Sequence, residues 1–337
     1  MLKRDEIESL RTEVAFKQII TKNPQLIKIL HRVKCAASQD INILLLGETG
    51  TGKDLCAQAI HYLSSRRNKP FIALNCGMGP LELFDSVLFG HIKGAFTNAI
   101  HDHPGLVEEA DKGILFLDEI NSMPPAIQVK LNRFLVTGEF RRLGENKLRK
   151  VDVRIIAATN QPLKTKMENG HFREDLYYRL AEYVIEFPPL RMRDDDIKLL
   201  MDHFLKEYVE RYKRTGIRFS DCVYEKAKQY HWPGNIRELE NIIKRCVIDS
   251  NGDVITEQDF QLPQVQKFSA IPANYLHLPL QQAKTEVVND FESTYLKYHL
   301  QQNNGNVEAC ARQCDKHRSA LWALLRKHKI DPRKYRS

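Results

Sequence analysis

Through the first half of the chain, short apolar runs alternate with longer stretches in which apolar positions return every three or four residues. Ile41–Leu46, Phe71–Leu74, Ile114–Leu117 and Val153–Ala157 are rich in Ile, Leu, Val and Phe and are bounded by turn residues. Near-continuous apolarity over so short a length predicts strands covered on both faces, and the amphipathic stretches between them predict helical crossovers. Residues 14–187 therefore read as an α/β unit on a parallel sheet, with residues 1–13 a short N-terminal extension. After Pro188-Pro189 the strand pattern stops. Helical periodicity through Asp196–Tyr212, Asp221–Tyr230 and Asn235–Asp249 predicts a small helical subdomain over 188–261.

Residues 262–280 carry Pro263, Pro272 and Pro279 with little periodicity and read as a linker. A small all-α unit follows over 281–337. Val288, Phe291, Tyr295 and Tyr298 recur at helical spacing, and Asn304-Gly305-Asn306 breaks the helix. Val307–Gln313 and His317–His328, joined near Cys314-Asp315-Lys316, predict a helix-turn-helix.

At 337 residues the chain can hold two or three compact units. No apolar run approaches the ~18 residues of a membrane span, and the start lacks the apolar stretch of a signal peptide. A cytoplasmic protein with no membrane partner is the expectation. The seven cysteines are scattered and odd in number, against a disulfide framework. Cys310, Cys314 and His317 have the spacing of half a zinc site with no second pair of ligands nearby. The net charge of +8 is unevenly placed: residues 312–337 hold nine Lys/Arg against two acids, leaving the first 311 residues at +1. A basic end on a neutral body predicts a polyanion partner, nucleic acid being the commonest.

Gly47-Glu48-Thr49-Gly50-Thr51-Gly52-Lys53 follows the first strand and opens a helix, the context of a phosphate-binding loop. Its glycines let backbone N–H groups face phosphates, the helix start favours their charge, and Lys53 would reach the β- and γ-phosphates. Asp54 stands where the general motif has a hydroxyl for magnesium, so the metal must lean on other groups. Ile114–Leu117 supplies them by ending in Asp118-Glu119. Asp118 would hold Mg²⁺, directly or through water, and Glu119 would polarise the attacking water.

Further landmarks follow in order. They are Leu74-Asn75-Cys76, Phe89-Gly90-His91, the hexapeptide Gly94-Ala95-Phe96-Thr97-Asn98-Ala99, Phe116 to Ile120, Ala157-Ala158-Thr159-Asn160, Phe172-Arg173 through Arg179-Leu180, Pro188-Pro189-Leu190-Arg191 and Trp232 to Leu239. With these the chain resembles the AAA+ ATPases, and closely the sigma-54-dependent activators, or bacterial enhancer-binding proteins, over about residues 14–335. The resemblance implies ATP and Mg²⁺ as cofactors and assigns roles. Asn75 would hold Glu119 in an alternative position until a partner is engaged, and Asn160 would sense the γ-phosphate. Arg173 and Arg179 would reach a neighbouring subunit's nucleotide, which requires a homo-oligomer, dimers assembling to a hexamer-like ring. Arg237 would contact nucleotide in cis.

In the resembling family the hexapeptide contacts sigma-54 and carries the ATP-driven movement to the closed promoter complex. Here Phe96 and Thr97 keep the pattern, while Asn98 replaces its usual Gly and Ile92 its usual Glu. The terminal unit is similar to the Fis-type domain of the same activators. Leu321, Leu324 and Leu325 would point inward, whereas Arg318, Trp322 and Arg326 recur every four residues on another face. Arg318 and Ser319, following His317 at the helix start, are candidates for base edges. Lys316, Trp322, Arg326 and Lys327 suit phosphate and sugar. Val288, Phe291 and Tyr295 would pack at a dimer seam instead of a monomer core.

The resulting expectation is an ATPase ring that remodels the sigma-54 RNA polymerase holoenzyme while bound to upstream DNA. The alternative is an AAA+ DNA-binding repressor that bypasses sigma-54. The ATPase text begins near residue 14, leaving no room for a preceding sensory domain, which predicts control by expression level or by a separate regulatory protein.

Overall fold

The computed structural model describes residues 14–77, 81–97, 99–250, 252–263, 278–314 and 316–335. Asn98, Asp315, the N-terminal extension and most of the linker lie outside the described residues. The chain divides into two compact units, Met1–Leu262 and Pro263–Ser337.

In the first unit, five strands form one parallel sheet: β1 (Ile43–Leu46), β2 (Phe71–Asn75), β3 (Ile114–Asp118), β4 (Arg154–Thr159) and β5 (Tyr183–Glu186), in the order β2-β3-β4-β1-β5. Alternation within each strand divides the core in two. Leu44, Leu115, Leu117, Ile155 and Ala157 join one buried cluster, whereas Ile43, Leu45, Ile114, Phe116, Ile156 and Ala158 join the other. Both faces are thus covered, as continuous apolar strands require. β1 starts two residues later than the pattern predicts, and β4 runs two residues further. β5, an edge strand with a polar end, has too weak a pattern to have been named.

Helices α1 (Pro24–Ala37), α2 (Lys53–Leu63), α3 (Leu81–Phe89), α4 (Pro125–Thr137) and α5 (Glu174–Leu180) accompany the sheet. Asn23 caps α1 by accepting from the N–H of Gln25 (3.0 Å) and Leu26 (3.1 Å), with Pro24 at the first helical position. Arg154, buried, donates to the carbonyls of Ala36, Ala37 and Ile41, each at 2.9 Å, and so satisfies the end of α1 from β4.

The helical part consists of α6 (Asp194–Arg211), α7 (Asp221–Gln229) and α8 (Asn235–Asp249) around Leu200, Met201, Trp232, Leu239, Ile243 and Phe260. Strands do not stop entirely at Pro188: Arg218–Phe219 pairs in parallel with Val254–Ile255. A two-residue ladder is too short to leave a period in the sequence.

The second unit packs α9 (Leu280–Gln302), α10 (Val307–Gln313) and α11 (Arg318–Lys327) around Leu296, Leu300, Cys310, Ala311, Leu321 and Leu325. Asn304 and Gly305, both at positive φ, turn the chain between α9 and α10, and Asn306 caps α10. Among the described residues no helix is long and apolar enough to cross a membrane.

Candidate functional site

The carboxyl ends of β1, β2, β3 and β4 converge, which is where parallel sheets bind ligands. Asn75 lies opposite Asp118 in the β2–β3 ladder, and Leu46, just before the phosphate loop, lies opposite Thr159, just before Asn160. Lys53, at the start of α2, is buried and donates to the carbonyls of Gly47 (2.8 Å) and Glu48 (2.9 Å). Burial pushes its ammonium below the usual lysine value, while Asp118 and Asp54 oppose that shift. The space that a Cβ on Gly52 would occupy is open, and Gly52 has the left-handed φ of +94°.

Asp118 accepts from the N–H of Glu119 (2.9 Å) through one oxygen, and the other has no protein partner among the described residues. Burial raises its carboxyl, with that N–H and Lys53 pulling the other way. Glu119 sits at φ +52°, a left-handed conformation rare for a residue with a long side chain. Asn75 and Glu119 flank Gly77: a Cβ there would lie 3.1 Å from Asn75 Oδ1 and 3.1 Å from Glu119 Oε2. In this arrangement Asn75 accepts from the Gly77 N–H (2.8 Å) instead of bonding Glu119.

Asn160 donates through Nδ2 to Thr49 Oγ1 (3.0 Å), and its Oδ1 is buried without a partner among the described residues. Such an orphan acceptor at the mouth of a phosphate loop calls for a donor, such as a water. With a buried ammonium, a half-free carboxylate and an unpaired amide oxygen, the donor set fits a magnesium nucleotide.

A match to the model of the sigma-54 interaction domain spans residues 19–186, and one to the AAA+ ATPase lid domain spans 191–270. The transcriptional regulatory protein GlrR of Escherichia coli (strain K12) is 40% identical over 313 residues, which are 93% of this chain and 68% of that protein. The sigma-54-dependent transcriptional regulator SfnR of Pseudomonas fluorescens (strain Pf0-1) is 45% identical over 258 residues, 77% of this chain and 70% of that one. The chain belongs to the sigma-54-dependent transcriptional regulators. The crystal structure of NtrX from Brucella abortus in complex with ATP superposes with a TM-score of 0.66 at 30% identity, covering 96% of this chain and 72% of that one. These relatives do not favour the alternative of a repressor that bypasses sigma-54.

In this family member the lid meets the phosphate loop through Asn235 and Arg191, neither of which the sequence pattern marks for a role. Asn235, buried and at φ +51°, donates to the carbonyl of Thr49 (3.0 Å) and to Glu48 Oε2 (3.1 Å), and accepts from the N–H of Leu190 (2.7 Å). Arg191 grips Glu48 with two bonds, 2.9 and 2.6 Å, and its guanidinium holds the Glu48 carboxyl below its usual range. A Cβ on Gly50 would lie 2.3 Å from the Gly234 carbonyl oxygen, so only glycine permits this approach. Arg237, in the first turn of α8, is exposed beside Gly50.

Sequence reasoning also missed a cavity of about 140 Å³ beside the loop, lined by Ile20, Gly52, Phe187, Arg193, Phe204 and Ile236 among others. The clues were present: a polar Asn235 after Pro233-Gly234, and Arg191 after two prolines.

Arg173 and Arg179 stand on the outside. Arg173 is exposed and bidentate to Asp175 (3.0 and 2.7 Å), whereas the exposed Arg179 guanidinium has no partner among the described residues. In the hexapeptide the Gly94 N–H donates to the Ala99 carbonyl (2.8 Å), closing the loop. Phe96 is half-buried, edge-on to His91 with ring centroids 5.0 Å apart, and His91 stacks on His103 at 5.8 Å; Thr97 is exposed.

In the second unit, Lys316, His317, Arg318, Ser319, Trp322, Arg326 and Lys327 are all exposed, while Leu321 and Leu325 are buried and Leu324 is intermediate. The Ser319 hydroxyl bonds His317 Nδ1 (2.8 Å). Lys327 is paired with Glu292 Oε2 (2.8 Å), which also binds His328 Nε2 (2.7 Å), so its charge is partly answered within the unit. Val288, Phe291, Tyr295 and Tyr298 lie exposed along α9.

Proposed function

We propose that the protein is an ATP-driven motor that acts as a ring on the sigma-54 RNA polymerase closed complex while its C-terminal unit holds upstream double-stranded DNA. The observation that carries this reading is the convergence of Lys53, Asp118, Glu119 and Asn160 at the ends of adjacent strands, with an unpaired Asn160 oxygen among them.

Lys53 exchanges its two loop carbonyls for phosphate oxygens. Asp118, with Asp54 nearby, would hold Mg²⁺, which supplies charge neutralisation at the β- and γ-phosphates. Glu119 accepts the proton of the attacking water, and Asn160 orients that water. Asn75, across Gly77 from Glu119, is near enough to take the carboxylate into an inactive position. Arg237 meets the nucleotide of its own subunit. The outward Arg173 and Arg179 serve a neighbour's nucleotide, which makes turnover depend on assembly. Phe96 and Thr97 form the contact with sigma-54. Arg318 and Ser319 reach base edges, and Lys316, His317, Trp322, Arg326 and Lys327 the phosphates and sugars. The exposed face of α9 fits a dimer seam. A cytoplasmic setting follows from these partners.

Open-complex formation by sigma-54 holoenzyme on a supercoiled template tests the proposal. Opening that needs ATP and disappears in Thr97→Ala, with ATP turnover retained, is the expected result. ATP hydrolysis without any opening would overturn it.

A further inference from the structure

Gln128 stands on α4 among the core positions Ile127, Leu131 and Phe134 and is itself fully buried. An amide in such a place must be hydrogen-bonded or cost stability. It has three partners, all on the main chain and none within α4. Nε2 donates to the carbonyls of Met123 (2.9 Å) and His171 (3.0 Å), and Oε1 accepts from the N–H of Arg173 (2.9 Å). The residue type follows from that set, since a carboxylate could not donate, an ammonium could not accept, and an apolar side chain would leave all three groups unpaired.

Those groups belong to two segments with different duties. Met123 closes the short turn Ile120–Ser122 that starts at Glu119: the Ser122 N–H donates to the Glu119 carbonyl (2.8 Å) and the Met123 N–H to that of Ile120 (3.1 Å). His171 and Arg173 form the entry to α5, and the Arg173 guanidinium is exposed with Asp175 bidentate on it. A second tie braces the same pair of segments. Lys166 Nζ donates to the Asn121 carbonyl (2.8 Å), while the Lys166 carbonyl accepts from the N–H of His171 (2.8 Å) and Phe172 (3.1 Å). Asn121 Oδ1 in turn accepts from Thr159 Oγ1 (2.9 Å), next to Asn160.

Resting on the role proposed above for Arg173, we infer that Gln128 is a positioning residue for hydrolysis in the neighbouring subunit. It sets the main-chain root from which Arg173 projects and fixes that root to the turn following its own subunit's Glu119. Asp175 steadies the guanidinium and Gln128 the backbone behind it, so the arginine reaches the neighbour's phosphate from a defined origin. A displacement of about 1 Å at such a group costs on the order of 10²-fold in rate.

Mixed rings test this, because a residue that acts on the neighbour can be complemented by a neighbour. Full-length Gln128→Met is assayed for ATP binding and turnover, alone and mixed one to one with Glu119→Gln, whose own site is silent but whose Arg173 and Gln128 are intact. Alone, Gln128→Met should keep its ATP affinity and lose about tenfold or more in turnover at saturating ATP. In the mixture, turnover per Gln128→Met subunit should rise about fivefold, since half of those subunits then receive an intact neighbour's arginine. Gln128→Glu keeps the acceptor for Arg173 and gives up both donated bonds; run in parallel, it should behave alike and serves if the Met variant does not fold. Arg173→Ala mixed with Glu119→Gln is the reference. Recovery there without recovery of either Gln128 variant would overturn the inference, as would wild-type turnover by both variants alone. No recovery in the reference mixture would remove the proposed role of Arg173 itself, and the inference with it.

Discussion

Single residues at this site are held by what surrounds them in space. Glu119 owes its position to a left-handed backbone at the end of a buried strand, a conformation that aims the carboxylate past Asp118 toward Gly77. Glu119→Gln removes the carboxylate proposed to accept the proton and leaves the shape. ATP binding should persist while phosphate release falls about 10²- to 10⁴-fold, measured by equilibrium binding beside a turnover assay. Glu48 is the contrasting case. It lies within the phosphate-binding motif, yet its carboxylate is taken by Arg191 and Asn235 of the lid. The pair is partly exposed, so a Glu48/Arg191 double-mutant cycle read by urea unfolding should return a coupling below about 1 kcal/mol. Arg191 depresses the Glu48 carboxyl below 4.5. The contact is therefore complete above that value and lost only as pH falls through the lowered one. ATP affinity should show no titration from this pair between about pH 6 and 8.

At the scale of elements, the sheet was legible because burial on both faces writes itself as continuous apolar runs, and Leu44 beside Leu45 illustrates why: the two feed different cores. The helices of the lid were equally plain, α8 matching its predicted bounds. β5 and the Arg218–Phe219 ladder were not, since an edge strand and a two-residue pair carry little periodicity. Arg154 could not have been foreseen as a helix cap, because the carbonyls it serves lie 113 to 118 residues earlier. Arg154→Met would leave those carbonyls unpaired inside the core. A loss of about 3 kcal/mol is expected, read from the urea midpoint with ATP absent. The hexapeptide shows the same division. Its Gly-Ala-Phe-Thr text announces a bend with an aromatic, whereas the edge-on support of Phe96 by His91 required the fold.

For the molecule as a whole, the division into two compact units at Leu262 and Pro263 separates the nucleotide chemistry from the basic helix of α11. A chain ending at Leu262 should retain ATP turnover and lose retention of DNA in a mobility-shift assay, with the full chain's binding falling steeply as salt rises. The family, the phosphate loop, the acidic strand end and the basic character of the last helix were determined by the sequence alone, because each is a local run of residue types whose period or spacing states its chemistry. Only the tertiary structure decided which polar atoms find a partner. Lys327 found Glu292, Glu48 found Arg191, and Asn235 reached Thr49 across 186 residues, while Asn160 Oδ1 and Arg193 Nη1 have no partner among the described residues. Periodicity encodes which face of an element is buried; the pairing of groups far apart in the chain depends on how those faces are brought together.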